Sequence, residues 1–131
     1  MKITKNFTLS EFCGDILPQT SVIINLTSLC LNCLQPLRDG LGKPVIITPG
    51  YRTPEHNKKV GGVPTSQHLY GQAADIKVKG WNPRALLEVI LQLSISYDQI
   101  IVYPTFIHIS YDHFRFNRYQ VIYKDNVRYC E

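Results

Sequence analysis

The chain has 131 residues, 44% of them hydrophobic and 18% charged, with a formal net charge of +4. That length supports one domain, residues 1–131, large enough for its own core, and the even composition excludes a disordered or fibrous chain. No stretch reads as the roughly 18 apolar residues of a membrane span, "MKITKNFTLSEF" lacks the apolar segment of a secretory signal, and the charge suits an anionic polymer or a plain solvated surface equally.

In chain order, "TLSEF" carries a capping box, Thr8 with Glu11, and predicts a short helix. A longer helix follows from about Thr20 to "RDGLG", where Gly40 and Gly42 can take left-handed caps. Pro36 falls inside that helix and predicts a kinked last turn. "KPVIIT" reads as a short buried strand, bounded by turn residues. "PGYRTPEHNKKVGGVPT" reads as turns around one short helix, capped by Thr53 with Pro54 at its first position.

"AADIKVK" has the length and alternation of a strand, and "NPRALLEVILQL" that of an amphipathic helix capped by Asn82. "YDQIIVYPTFIHISYD" reads as two strands about a Pro104-Thr105 turn. "FRFNRYQVIYKDNVRY" alternates aromatic and polar residues as a hairpin would, turning at Asp125-Asn126. Helices first, then a mostly antiparallel sheet with one helix between strands, make the class α+β.

The four cysteines are Cys13, Cys30, Cys33 and Cys130. "CLNC" has the spacing of half a zinc site or of a redox pair. It also lies on an apolar stripe of Val22, Ile23, Leu26, Leu29, Cys30, Cys33, Leu34 and Leu37, recurring at helical steps. With no second pair nearby, these cysteines read as small core hydrophobes carrying free thiols.

"SQHLYGQAADI" sets His68, Gly71 and Asp75 close together. One reading is a glycine turn entering a buried strand. The other is an open metal site made by His68, Asp75 and His108, because zinc accepts imidazole nitrogen and carboxylate oxygen and leaves a fourth position for water. Such a site lowers the pKa of its water from about 15.7 to about 7. Ser66 and Ser110 stand near enough in sequence to hydrogen-bond the ligands. Spacing alone leaves both readings open.

The pattern of Ser66, His68, Gly71, Ala73 and Asp75 resembles the signature of zinc D-alanyl-D-alanine carboxypeptidases and related peptidoglycan peptidases. "GYRTPEHN", with Arg52, is similar to their substrate-facing arginine segment, and "FIHIS" to the block carrying their third zinc ligand. "LQPLRDGLGKPVIITPGYR" is similar to the family's lead-in, and the size and absent signal look most like phage-encoded members, a class that includes endolysins.

The resemblance implies the carboxypeptidase (hedgehog-like) fold and a hydrolase of amide bonds in peptidoglycan stem peptides or cross-links. It implies Zn2+ held by His68, Asp75 and His108. Arg52 would steady a substrate carboxylate or the developing oxyanion, with Ser66 also facing substrate. Peptidoglycan peptides would be the partner, the protein a monomer without nucleic acid or membrane segment. It would be made in the cytoplasm and act at the bacterial wall once released.

One departure stands out. The family places an acidic general base a few residues before its last histidine, where this chain reads Tyr103-Pro104-Thr105. A two-residue turn there pairs Tyr103 with Phe106 and Ile101 with His108. Tyr103 then shares the His108 face and Asp98 takes the opposite one. Asp112 faces correctly but stands about 13 Å along the strand. A tyrosine is a poor base and a good donor to an oxyanion, so Tyr103 is the catalytic candidate beside Arg52. A packed aromatic at a strand end is the plainer alternative for Tyr103. The missing base also keeps a second function open, a non-catalytic zinc-stabilised module that binds wall peptide or a protein partner. His56 and His113 receive no role. The aromatic and basic residues around His113 permit single-stranded nucleic-acid binding, but their alternation favours a structural hairpin.

Overall fold

The computed structural model describes residues 1–48 and 70–125. The predicted short helix capped by Thr53 lies outside the described residues, as do Asn126 and Cys130.

The chain opens with a small antiparallel hairpin, β1 (Lys2–Thr4) and β2 (Phe7–Thr8), which the sequence reading did not anticipate. Gln35 holds it: its Oε1 accepts from Thr4 Oγ1 at 2.8 Å and from the Asn6 amide at 3.0 Å. α1 (Leu9–Cys13) begins at Thr8, whose backbone N–H donates to Glu11 Oε1 at 2.9 Å. The predicted capping box is therefore present.

The long helix is built in three parts: α2 (Thr20–Leu29), a π-helical turn (Cys30–Leu34) and α3 (Gln35–Leu41). The kink expected in the last turn is replaced by this π turn, placed ahead of Pro36. Proline has no N–H, and its ring would strike the carbonyl four residues back. Widening the preceding turn, with the Gln35 N–H reaching Cys30 O, takes up that misfit and lets the helix run on. Gly42 caps α3 in the left-handed conformation at φ 67°. Gly40, expected as a second cap, is instead helical and packs against Leu93 of the next helix.

Thr20–Leu41 has the length and apolar content of a membrane-crossing helix. Here it is the core helix, with Leu26, Leu29, Cys30, Cys33, Leu34 and Leu37 fully enclosed. The predicted apolar stripe is thus the buried one, with Ile23 at its margin. Burial pushes the Cys30 thiol up to about 12, with a smaller push from Glu11, and raises Cys33 as well. Cys13, Cys30 and Cys33 are free thiols.

The main sheet has the order β3–β4–β6–β5–β7, from β3 (Ile46–Ile47), β4 (Ala73–Lys77), β5 (Gln99–Val102), β6 (Ile107–Ser110) and β7 (Gln120–Tyr123). Every pairing is antiparallel except β5 with β7. The α+β expectation stands. α4 (Pro83–Gln92) links β4 to β5 and begins at Asn82, whose Oδ1 accepts from the Ala85 amide at 2.9 Å.

Part of the last segment differs from its prediction: residues 114–119, read as part of an alternating hairpin, form no strand, and Gln120–Tyr123 lies parallel to β5. The limb beyond the predicted Asp125-Asn126 turn lies outside the described residues. Residues 111–119 form the connection, with Phe114 and Phe116 exposed. Asp98 is buried and receives Arg118 Nη2 at 2.7 Å and the Arg118 amide at 2.9 Å. That contact fixes where the returning chain meets β5, a long-range choice that local alternation cannot encode. Asp125 is held by Arg84 of α4 through Nε and, at 2.9 Å, through Nη2, which keeps its carboxyl below the usual carboxylate range.

Candidate functional site

β4 and β6 lie side by side with Asp75 directly opposite His108. In an antiparallel pair, opposed residues project from the same face with Cβ atoms about 4.5–5.5 Å apart. Asp75 Oδ1 and His108 Nδ1 approach to 3.2 Å, and both residues are buried, at 6% and 9% exposure. The sequence explains the placement. Ala74, Ile76, Ile107 and Ile109 alternate with these two and enter the core, so Asp75 and His108 must face the other way. A charged or polar pair is seldom buried unless it is matched or holds a metal.

The hairpin register is the expected one. Ile101 pairs with His108, and the Tyr103 amide donates to Phe106 O at 3.0 Å across Pro104-Thr105. The Tyr103 ring stacks on Phe106, with centroids 4.6 Å apart. Alternation places Tyr103 on the His108 side of the sheet.

Ser110 departs from expectation, because it does not orient His108. Its hydroxyl accepts from the Gln99 amide at 3.1 Å and donates to Gln99 O at 3.3 Å, so it staples β6 to β5. Asp112 closes its own turn: Oδ1 accepts from the Phe114 amide at 3.0 Å, while its own amide donates to Asn117 Oδ1 at 2.8 Å.

The Asp75–His108 pair fits two neighbouring ligands of one ion. Donors bound to tetrahedral zinc at about 2.0–2.1 Å stand about 3.3–3.4 Å from each other, close to the 3.2 Å between Oδ1 and Nδ1. The donor chemistry also fits, one imidazole and one carboxylate. No third His, Cys, Asp or Glu among the described residues joins them. His68, Arg52, Ser66 and His56 lie outside the described residues.

The sequence reading passed over Asn25 and Ser28 of α2. Asn25 Nδ2 donates to Tyr70 O at 2.8 Å, and Ser28 Oγ lies 3.0 Å from His113 Nδ1. The available signal was polar residues at helical spacing beside the apolar stripe, Asn25, Ser28 and Asn32. The apolar periodicity drew attention to the neighbouring face instead.

Comparison with known proteins adds two findings. The model of the peptidase M15 family matches residues 5–110. A zinc D-Ala-D-Ala carboxypeptidase from Streptomyces albus G is 43% identical over 44 residues, which is 33% of this chain and 17% of that protein. The aligned stretch is thus a small part of the relative's length.

Proposed function

Since the chain belongs to the peptidase M15 family, we propose that it is a zinc-dependent peptidase cutting amide bonds of bacterial peptidoglycan, in stem peptides or cross-links. The observation that carries this reading is the buried Asp75–His108 pair, with its donor atoms 3.2 Å apart on neighbouring strands. Asp75 and His108 would hold the ion together with His68. Zinc in such a site supplies a Lewis acid for the scissile carbonyl and an acidified water.

The remaining work falls to the chain's own groups. Arg52 binds a substrate carboxylate or the developing oxyanion through its planar fork of donors, and Ser66 is a second substrate-binding residue in this reading. Tyr103 donates its phenol O–H to the oxyanion. Its position on the His108 side of β5 supports that role. The strand register keeps Asp75 and His108 from drifting apart, because both are anchored in a ladder of backbone hydrogen bonds.

The zinc carboxypeptidase relative supports a D-alanine-terminated peptide as substrate, and the reading extends to a wall lytic enzyme of the phage endolysin type. A second reading, a module that binds wall peptide without cutting it, is favoured by one observation: Asp112, the first carboxylate after His108 in the chain and just past the end of β6, is committed to its own turn. Purified wall and defined stem peptides decide between them, with turbidity and released amine measured with and without chelator. Chelator-sensitive amine release is expected. Wall that is bound but never cut would leave the binding module.

A further inference from the structure

The polar stripe of α2 braces both segments that enter and leave the candidate site. Asn25, Ser28 and Asn32 recur at steps of three and four residues, so they share one side of the helix. Asn25 is 6% exposed, and its Nδ2 donates to Tyr70 O at 2.8 Å, just before the strand carrying Asp75. Three residues further on, Ser28 Oγ meets His113 Nδ1 at 3.0 Å, just after the strand carrying His108. Asn32 Nδ2 holds Ser28 in place, donating to its carbonyl at 2.8 Å and its hydroxyl at 3.2 Å. The two braced segments are also joined to each other, since the Tyr111 amide donates to Gln72 O at 2.9 Å.

The approach to α2 is tight at Gly71. Its φ is +74°, and a Cβ there would stand 2.8 Å from Val22 O. The backbone of the turn therefore lies against the first half of α2, and only glycine permits it. Asn25 Oδ1 is buried with no hydrogen-bond partner among the described residues. A buried polar atom left so is destabilising. A leucine there would remove the orphaned Oδ1 but leave the Tyr70 carbonyl without its Asn25 donor. Retaining an amide at a half-satisfied buried position is explained by what its other half does, which is to hold the Tyr70 carbonyl.

We propose that Asn25, seconded by Ser28 through His113, is a positioning residue for the metal site: it fixes the Tyr70–Gln72 turn and the Tyr111–His113 exit against α2, and thereby fixes the spacing of the ligand-bearing strands. This rests on the zinc reading given above. Asn25 touches neither substrate nor ion and acts through the backbone it holds.

The test uses the full chain and a competitive zinc titration against a chromophoric chelator. Asn25→Asp keeps the side-chain shape but turns a donor into an acceptor facing the Tyr70 carbonyl. It should weaken zinc binding by about 10–100-fold, the usual effect of losing a group that orients ligands. His113→Gln, at an exposed position, should give a smaller loss in the same direction. Leu29→Ala, a core change on the same helix, should lower the melting temperature at least as much while leaving zinc affinity unchanged. Asn25→Asp affinity equal to wild type, or an equal loss in Leu29→Ala, would overturn the proposal.

Wild-type protein that takes up no zinc would instead sink the reading of the site. The positioning proposal is then decided on metal-free protein by amide exchange. Asn25→Asp should accelerate exchange at the Tyr111 amide by about tenfold or more while α4 amides keep their protection. A uniform acceleration would mean a merely structural role.

Discussion

The two faces of the main sheet are built from the same strands on different physics. On the core face Ala74, Ile76, Ile100, Val102, Ile107 and Ile109 are fully buried. Their contribution is non-directional and scales with the apolar area removed from water. On the other face stand Asp75, His108 and Ser110, equally enclosed but polar. Each of them has a specific partner at a specific distance. One face tolerates repacking; the other does not, because a one-residue register slip would exchange them. The core face therefore sets how stable the sheet is, and the polar face carries the proposed ligands.

The most damaging change to that contrast is on the polar face. Asp75→Ala should abolish zinc uptake, as should His68→Ala, and elemental analysis of protein purified without chelator reads this directly. Hydrolysis should fall to background. Retained stoichiometric zinc in Asp75→Ala would refute the ligand assignment.

Next comes Tyr103, the proposed oxyanion donor. Tyr103→Phe should lower turnover by about 10²–10³ with zinc content unchanged, the cost of one oxyanion donor. Asp112→Asn should leave turnover intact, because its carboxylate serves the Phe114 amide. Steady-state rates on a defined stem peptide separate the two, and the reverse result would make Asp112 the base.

A core-face change should act on stability alone. Ile109→Ala removes a fully buried side chain and should cost about 2–5 kcal/mol in urea unfolding. Its zinc stoichiometry should remain that of wild type. Lost zinc in a folded Ile109→Ala protein would erase the distinction between the faces.

The mildest effect comes from the thiols in the core beneath. Cys30 is raised from 9.0 to about 12 by burial. The folded state holds its proton where the unfolded state releases it, so this stability is full below about pH 9 and drains away as pH rises toward 12. The slope is about 1.4 kcal/mol per pH unit for one such thiol, measurable by urea unfolding between pH 8 and pH 10. Thiol counting under denaturing, non-reducing conditions should find four. A Cys30–Cys33 disulfide in fresh protein would contradict the core role of both.

Local signals were legible in the sequence wherever neighbouring residues decide the outcome. The capping box at Thr8, the Asn82 cap, the helical stripe through Cys30 and Cys33, and the Tyr103–Phe106 hairpin register all rest on contacts within a few residues. Asp75 and His108 were readable as ligand candidates from their donor chemistry, with a structural turn left open, and the family resemblance favoured the metal reading. Their opposition across β4 and β6 joins positions 33 residues apart.

Tertiary structure alone decided the rest. Pro36 signals a local misfit, and burial of Cys30, Cys33 and Leu34 accompanies its resolution as a π turn that lets the helix run on rather than kink. The parallel seat of β7 depends on Arg118 finding Asp98, 20 residues away. Ser110 was read as a hydrogen-bond partner of the ligands and bonds Gln99 instead, while Asp112, placed on the His108 face, bonds the Phe114 amide. Periodicity names the face a side chain takes, because backbone geometry repeats locally. Which partner waits on that face is set by where the rest of the chain returns, and no local repeat carries that information.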